Sequence, residues 1–193
     1  MSTWPFDPLR PLTYRCIVAD PPWRFALYSE RTGAARSPQA HYTCMDLNAI
    51  KALPVGQLAA GDCLLCLWAT APMLPQALEV MAAWGFTFKT MGVWAKQSKR
   101  GDKQAFGTGY ILRSAAEPYL IGTVGRVRVL SHSVRNCIQA PIREHSRKPA
   151  EIYRDLEALT DGTRADLFSR ESRPGWDSWG QQAGLFDAIG GVA

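Results

Sequence analysis

Residues 15–23 read Arg-Cys-Ile-Val-Ala-Asp-Pro-Pro-Trp, an apolar run that stops abruptly at Asp20, Pro21, Pro22 and Trp23. The run at 15–19 has the length and composition of a buried strand. The prolines end it, because neither can donate to a ladder. In open α/β sheets ligands gather at the carboxyl ends of the strands, so these four residues stand where a site would be. Their chemistry suits an amino group on a planar ring. An ionised carboxylate only accepts hydrogen bonds, and with the Pro21 carbonyl it makes a two-acceptor clamp for an NH2. The Trp23 indole offers a face for the ring. Such an amine is a poor nucleophile, because its lone pair is delocalised; holding both hydrogens out of plane localises the pair and aims it at an electrophile. The same tetrapeptide also reads as a Pro-Pro turn capped by Asp20 with Trp23 in the core, and alone it does not choose between the two.

Outward from this motif, strand-like and helix-like segments alternate. Residues 24–45 are polar and predict a long loop, a kind usually tied to function. Residues 46–53 predict a short helix capped by Asp46, and 63–69 a second buried strand. A helix follows at 73–84, stopped by Gly85, then a strand at 86–96, a basic loop at 97–113 and a strand at 117–124. Residues 125–147 are basic and irregular, 149–159 predict a helix with Pro149 near its first turn, and 165–169 predict a last strand before a Trp-rich tail. The alternation predicts an α/β fold, a mostly parallel sheet flanked by helices. The strands at 86–96 and 117–124 have no helix between them, which admits an antiparallel part.

Composition excludes other classes. The 193 residues carry 22 Lys+Arg against 17 Asp+Glu, a net charge of +5, and are 47% hydrophobic and 20% charged. These values do not fit collagen, a coiled coil or a wholly disordered chain. They suit one domain over residues 1–193, with 1–14 and 184–193 as peripheral tails. Five cysteines, an odd number spread through apolar segments, are no disulfide framework. Cys63 and Cys66, three apart on a strand, point to opposite faces and read as buried thiols. His41, His132 and His145 show no ligand spacing, so no metal is expected. No apolar segment suits a signal peptide or a membrane span, so a cytoplasmic setting without a membrane partner is expected.

The ordered set IVADPPW, HYTCM, LLCLWAT, PQALEVMAAWGF, KTMGVWAK, GYILRSAAEPYLIGTVG, REHSRKPAEIY and DLFSRESRPGWDSWG resembles a known family. It is that of the adenine N(6)-methyltransferases named for the seventy-kilodalton subunit of the messenger-RNA adenine methyltransferase. The resemblance implies a Rossmann-like S-adenosylmethionine-dependent methyltransferase fold, circularly permuted so that the catalytic motif precedes the cofactor motif. It also implies methyl transfer to the N(6) amine of adenine in nucleic acid, DNA favoured over RNA, on a base flipped from its stack. Asp20, Pro21, Pro22 and Trp23 would be the catalytic motif. Tyr42, Glu117 and Arg113 would bind the substrate. Asp20, Lys148, Phe168, Arg170, Gln181 and Gln182 would bind the cofactor. The chain departs from the pattern at Gln181, where the family has Asn, and at Ala116 and Ser114, where bacterial members have His and Asn. Those departures keep open an inactive partner subunit or nucleic-acid-binding module of the same fold, and either a homodimer or a partner chain is compatible. No G-x-G-x-x-G follows DLFSR, which argues against a dinucleotide.

The excess charge is concentrated. Lys96, Lys99, Arg100, Lys103 and Arg113 face only Asp102 over 96–113, and Arg126, Arg128, Arg135, Arg143, Arg147 and Lys148 face only Glu144 over 122–148. Both stretches read as nucleic-acid backbone contacts beside Asp20, carried by Lys99, Arg100, Lys103, Arg126, Arg128 and Arg135.

Overall fold

The computed structural model describes residues 4–23, 44–109, 111–143 and 147–187. The loop expected at 24–45 lies outside them except for residues 44 and 45, and so does Tyr42. The strands are β1 (Tyr14–Ala19), β2 (Ala59–Trp68), β3 (Thr87–Gln97), β4 (Ala116–Val124), β5 (Cys137–Pro141), β6 (Arg164–Leu167) and β7 (Asp177–Trp179). The helices are α1 (Leu47–Lys51), α2 (Leu74–Ala83) and α3 (Glu151–Leu159).

The strands form one sheet in the order β5-β3-β4-β2-β1-β6-β7. All run the same way except β4, which is antiparallel to both β2 and β3. The reason is connectivity. Parallel neighbours need a crossover; β3 reaches β4 with no helix between, whereas α2 joins β2 to β3 and α3 joins β5 to β6. The fold is therefore the α/β architecture expected, with its antiparallel part where the sequence lacks a helix.

Central strands are buried on both faces, so their residues alternate between two cores. Ile17, Ala19, Cys63, Leu65 and Leu67 face α2, where Ala77, Val80 and Met81 are buried. Cys16, Val18, Leu64, Cys66 and Trp68 face α3 and its Ile152, Tyr153 and Leu156. Cys63 and Cys66 thus lie in opposite cores, and burial pushes both thiols up. Trp84 and Trp94 are buried in the core. Gly85 has φ 84°, the left-handed turn that stops α2. The Asp46 carboxylate accepts from the Asn48 N–H and caps α1.

Two strands lie where the sequence predicts none. β5 buries only Ile138 and Ala140, and its basic surroundings mask that alternation. β7 has three residues, too few for a periodic signal.

Candidate active site

Asp20 follows β1 at its carboxyl end, and its N–H donates to the Leu167 carbonyl at 3.3 Å, so the ends of β1 and β6 lie side by side. The two prolines then turn the chain. The Pro21 carbonyl accepts the Trp23 N–H at 2.8 Å, and the Pro22 carbonyl accepts the Met45 N–H at 3.0 Å. A carbonyl has two lone pairs, so Pro21 keeps one for an incoming amine. Trp23 corrects the sequence reading. It is 4% exposed, and its Nε1 donates to the Trp68 carbonyl at 3.0 Å. Its ring is packed in the core, offers no face to a base, and anchors the turn.

The carboxylate of Asp20 ends a chain of alternating charges. Lys148 Nζ lies 2.9 Å from Asp20 Oδ2 and 2.7 Å from Glu117 Oε1, and Lys96 Nζ lies 2.8 Å from Glu117 Oε2. Strand periodicity explains the meeting. Trp94 pairs with Glu117 in register, so Lys96, Trp94, Glu117 and Tyr119 share the face that carries Val18 and Trp68. Lys148 arrives just before α3 and sits 5.2 Å above the Trp68 ring centroid. Burial pushes the Glu117 carboxyl up, but Lys148 and Lys96 outweigh it and hold it at about 2. Burial likewise opposes the Lys148 ammonium, and Asp20 and Glu117 outweigh it and raise its pKa.

Beside this chain opens a cleft lined by Asp20, Trp68, Lys148, Asp166, Phe168 and Arg170 among others. Its floor is the end of β6. Phe168 has φ 62°, unusual for a residue with a side chain. That turn swings Ser169 back, where its N–H donates to the Trp179 carbonyl at 3.0 Å and its hydroxyl to Asp166 Oδ2 at 3.0 Å. The Tyr153 hydroxyl donates to the same Asp166 oxygen at 2.9 Å. Trp176 packs edge-on to Tyr153 and Trp179 edge-on to Phe168, so both tail tryptophans support the cleft from beneath.

Burial raises Asp166 to about 7, against the hydrogen bonds from Tyr153 and Ser169 and the charge of Arg173. Its folded pKa lies above the ordinary 3.8, so the stability it contributes is full below 3.8 and is lost as pH rises through 7. Asp166→Asn keeps an acceptor for both hydroxyls and removes the titration. The stability of the wild-type protein relative to this variant should fall by about 2–4 kcal/mol between pH 4 and pH 8, read by urea unfolding. A pH-independent difference would show that Asp166 does not titrate there.

On the outer wall, the Glu171 carboxylate gathers three guanidinium groups. Arg147 is in contact, Arg173 lies at 3.1 Å and Arg143 at 3.6 Å. Of the residues the resemblance assigns to the cofactor, Asp20, Lys148, Phe168 and Arg170 line the cleft, and Gln181 and Gln182 stand on the turn beyond β7. Arg113 is exposed on the β3–β4 connection.

The basic residues divide. β3 ends at the Asp20 end of the sheet, so Lys99, Arg100 and Lys103 extend from that end. Because β4 runs the other way, Val124 pairs with Cys63, and the Arg126 N–H donates to Asp62 Oδ1 at 2.8 Å at the amino end of β2. Arg126 and Arg128 are thus at the end opposite Asp20, and Arg135 precedes β5 on the sheet edge. Their expected place beside the motif is corrected by the reversal of β4. The sequence reading also missed Asp166, Tyr153, Ser169, Glu171 and the structural part of Lys96. Two of these had a signal: Asp166 precedes Phe168 and Arg170 at spacing two in DLFSR, and Lys96 stands two after Trp94 on one strand face.

Among the described residues no group of His, Cys, Asp and Glu is arranged to hold a metal, and no helix is long and apolar enough to cross a membrane. His132 is exposed, and His41 and His145 lie outside the described residues.

A family model described as MT-A70 matches residues 14–182. The chain is 28% identical over 185 residues to the type II methyltransferase M.MunI of Mycoplasma sp, covering 86% of this chain and 76% of that protein. It is 31% identical over 170 residues to a probable N(6)-adenosine-methyltransferase MT-A70-like protein of Oryza sativa subsp. japonica, covering 86% of this chain and 22% of that one. It is 26% identical over 194 residues to the human N(6)-adenine-specific methyltransferase METTL4, covering 92% of this chain and 39% of that one.

Proposed function

The chain belongs to the MT-A70 family, whose fold is that of S-adenosylmethionine-dependent methyltransferases, and from that premise we propose that it methylates the N(6) amine of adenine in nucleic acid, with DNA as the favoured substrate. The observation that carries this reading is the Asp20 carboxylate. It is held at the carboxyl end of β1 by Lys148 at 2.9 Å, beside a Pro21 carbonyl and on the edge of a cleft. The preference for DNA is the one that the resemblance of the sequence motifs implies, and the comparison of DNA with RNA oligonucleotides tests it.

The cleft fits the cofactor. Three residues lining it, Trp68, Arg147 and Arg173, carry buried N–H donors without a hydrogen-bond partner in the structure. Unmet buried donors are costly, and a ligand with a carboxylate and ring nitrogens would satisfy them. Lys148, Phe168 and Arg170 would hold S-adenosylmethionine there, and the resemblance also assigns Gln181 and Gln182, on the turn beyond β7, to its binding. Bound so, it would supply an electrophilic methyl group. The chain does the rest by positioning. Asp20 and the Pro21 carbonyl accept the two amine hydrogens and turn the nitrogen lone pair toward the cleft. Lys148 fixes the carboxylate, and Glu117 fixes Lys148. Asp20 takes the amine proton late.

The test is transfer of a labelled methyl group to matched DNA and RNA oligonucleotides, with nucleoside analysis of the product. N(6)-methyladenine is expected, with more from DNA; methylcytosine, or no methylated base, would overturn the reading.

The placement of charge makes a second prediction. Neutralising Lys99, Arg100 and Lys103 together should weaken oligonucleotide binding and reduce the slope of log K against log salt by about 2–3. Neutralising Arg126 and Arg128 should leave that slope within about 0.5 of wild type, because they face the other end of the sheet. Fluorescence anisotropy over a salt series reads both.

A further inference from the structure

The described residues of the connection from β3 to β4 form a hydrogen-bonded finger. The Ala105 N–H donates to the Lys96 carbonyl at 2.8 Å, the Lys96 N–H to the Ala115 carbonyl at 2.9 Å, and the Gly107 N–H to the Ser114 carbonyl at 2.8 Å. The Ser98 N–H donates to the Lys103 carbonyl at 2.7 Å, and Gln97 pairs with Gln104 in an antiparallel bridge. Near the tip, a Cβ on Gly109 would lie 1.9 Å from the Leu112 carbonyl oxygen, so the turn needs glycine there.

What this fixed backbone presents is apolar. Ile111 is 96% exposed, Leu112 82%, and Phe106, lower on the stem, 71%. They cover no core, and large apolar groups held in water on a bonded scaffold mark a contact surface. Two observations say what it contacts. The roots of the finger are in the site, since Lys96 and Glu117 flank it and pair at 2.8 Å, and Glu117 leads through Lys148 to Asp20. The finger itself bears Lys99, Arg100, Lys103 and Arg113 against Asp102. Exposed apolar side chains on the same connection as four cations complement a polyanion with an apolar interior, which describes stacked bases between phosphate backbones.

We infer that Ile111 and Leu112 are a wedge that enters the duplex beside the target adenine and keeps its stack open while the base is turned out toward Asp20. The inference rests on the adenine-methylating reading above and adds the residues that open the duplex. The wedge does its work on paired substrate alone. A base already unpaired has nothing to prop open.

The experiment compares wild type with the double variant Ile111→Ser, Leu112→Ser on three DNA oligonucleotides carrying a site that wild type methylates. In one the target is fully paired, in one it faces an abasic position, and one is single-stranded. On the paired duplex kcat/KM should fall about thirtyfold or more, while on the other two it should stay within about threefold. With 2-aminopurine in place of the target adenine in the duplex, wild type should brighten the fluorescence and the variant should not. Calorimetry with S-adenosylmethionine, expected unchanged, reports that the variant is folded. An equal loss on all three substrates, no loss on any, or a wild-type enzyme inactive on paired DNA overturns the wedge while leaving adenine methylation standing. A wild-type enzyme that methylates no adenine in any oligonucleotide overturns the underlying reading instead.

Discussion

Asp20→Ala is expected to lower the rate of methyl transfer about a thousandfold or more. The carboxylate provides one of the two acceptors that turn the amine, and the remaining acceptor, the Pro21 carbonyl, already spends one lone pair on the Trp23 N–H. With one acceptor left, nothing holds the second amine hydrogen out of plane, and the nitrogen lone pair stays in the ring. Asp20→Asn keeps the side chain's duty as an acceptor for the amine and removes both the charge that pairs with Lys148 and the base that takes the amine proton. Its oxygen still accepts from the amine, but its NH2 cannot serve Lys148, now 2.9 Å from Asp20 Oδ2. The rate should therefore fall by an intermediate factor of about ten to a hundred. Both variants should fold, because Asp20 lies at a strand end and is partly exposed. Single-turnover transfer to an oligonucleotide, with S-adenosylmethionine affinity measured alongside, reads the effect. Retention of a tenth or more of the wild-type rate by Asp20→Ala would sink the clamp.

The motif at 20–23 was legible because a strand end, two prolines and a carboxylate form a local pattern, and the central strands because they are long and apolar. β5 and β7 were not, since a strand of five or three residues on a sheet edge carries too little alternation to register. The direction of β4 had the largest consequence. From sequence alone the basic stretches at 96–113 and 122–148 look equivalent. Only the antiparallel pairing of Leu64 with Thr123 and Thr87 with Thr123 shows that Arg126 leaves the sheet at the far end. Trp23 teaches a related lesson. Its residue type suits stacking, yet its neighbours Pro22 and Met45 fold it inward, a long-range pairing invisible to local pattern. The site's charge network was half legible. Lys148 and Glu117 were named one by one, but their contact joins residues 31 positions apart through β4 and the approach to α3.

That contact supports the second large effect. Lys148→Met should cost about 3–5 kcal/mol of stability at pH 7 and abolish transfer. Methionine keeps the apolar stem over Trp68 and removes the charge, so packing changes little. What changes is that Asp20 and Glu117, both within 3 Å of the same ammonium, lose the cation between them. In wild type the Glu117 carboxyl is held at about 2 against an ordinary 4.5. A depressed folded pKa gives stability that is present above 4.5 and lost as pH falls toward 2, about 3 kcal/mol in all. In the variant only Lys96 remains for Glu117, burial pushes the carboxyl back up, and this contribution shrinks or changes sign. The gap between wild type and Lys148→Met should therefore be widest near pH 7 and close markedly by pH 3.5 in urea unfolding. A gap of the same size at both pH values would mean that lost packing, and not lost charge, is the cause. Adding Glu117→Gln to Lys148→Met removes one of the two stranded carboxylates and should restore about half of the lost stability. It should restore no activity, because Asp20 still lacks the group that orients it. Stability and transfer would then part in a single variant, as they must if Lys148 both neutralises the pair and positions the clamp.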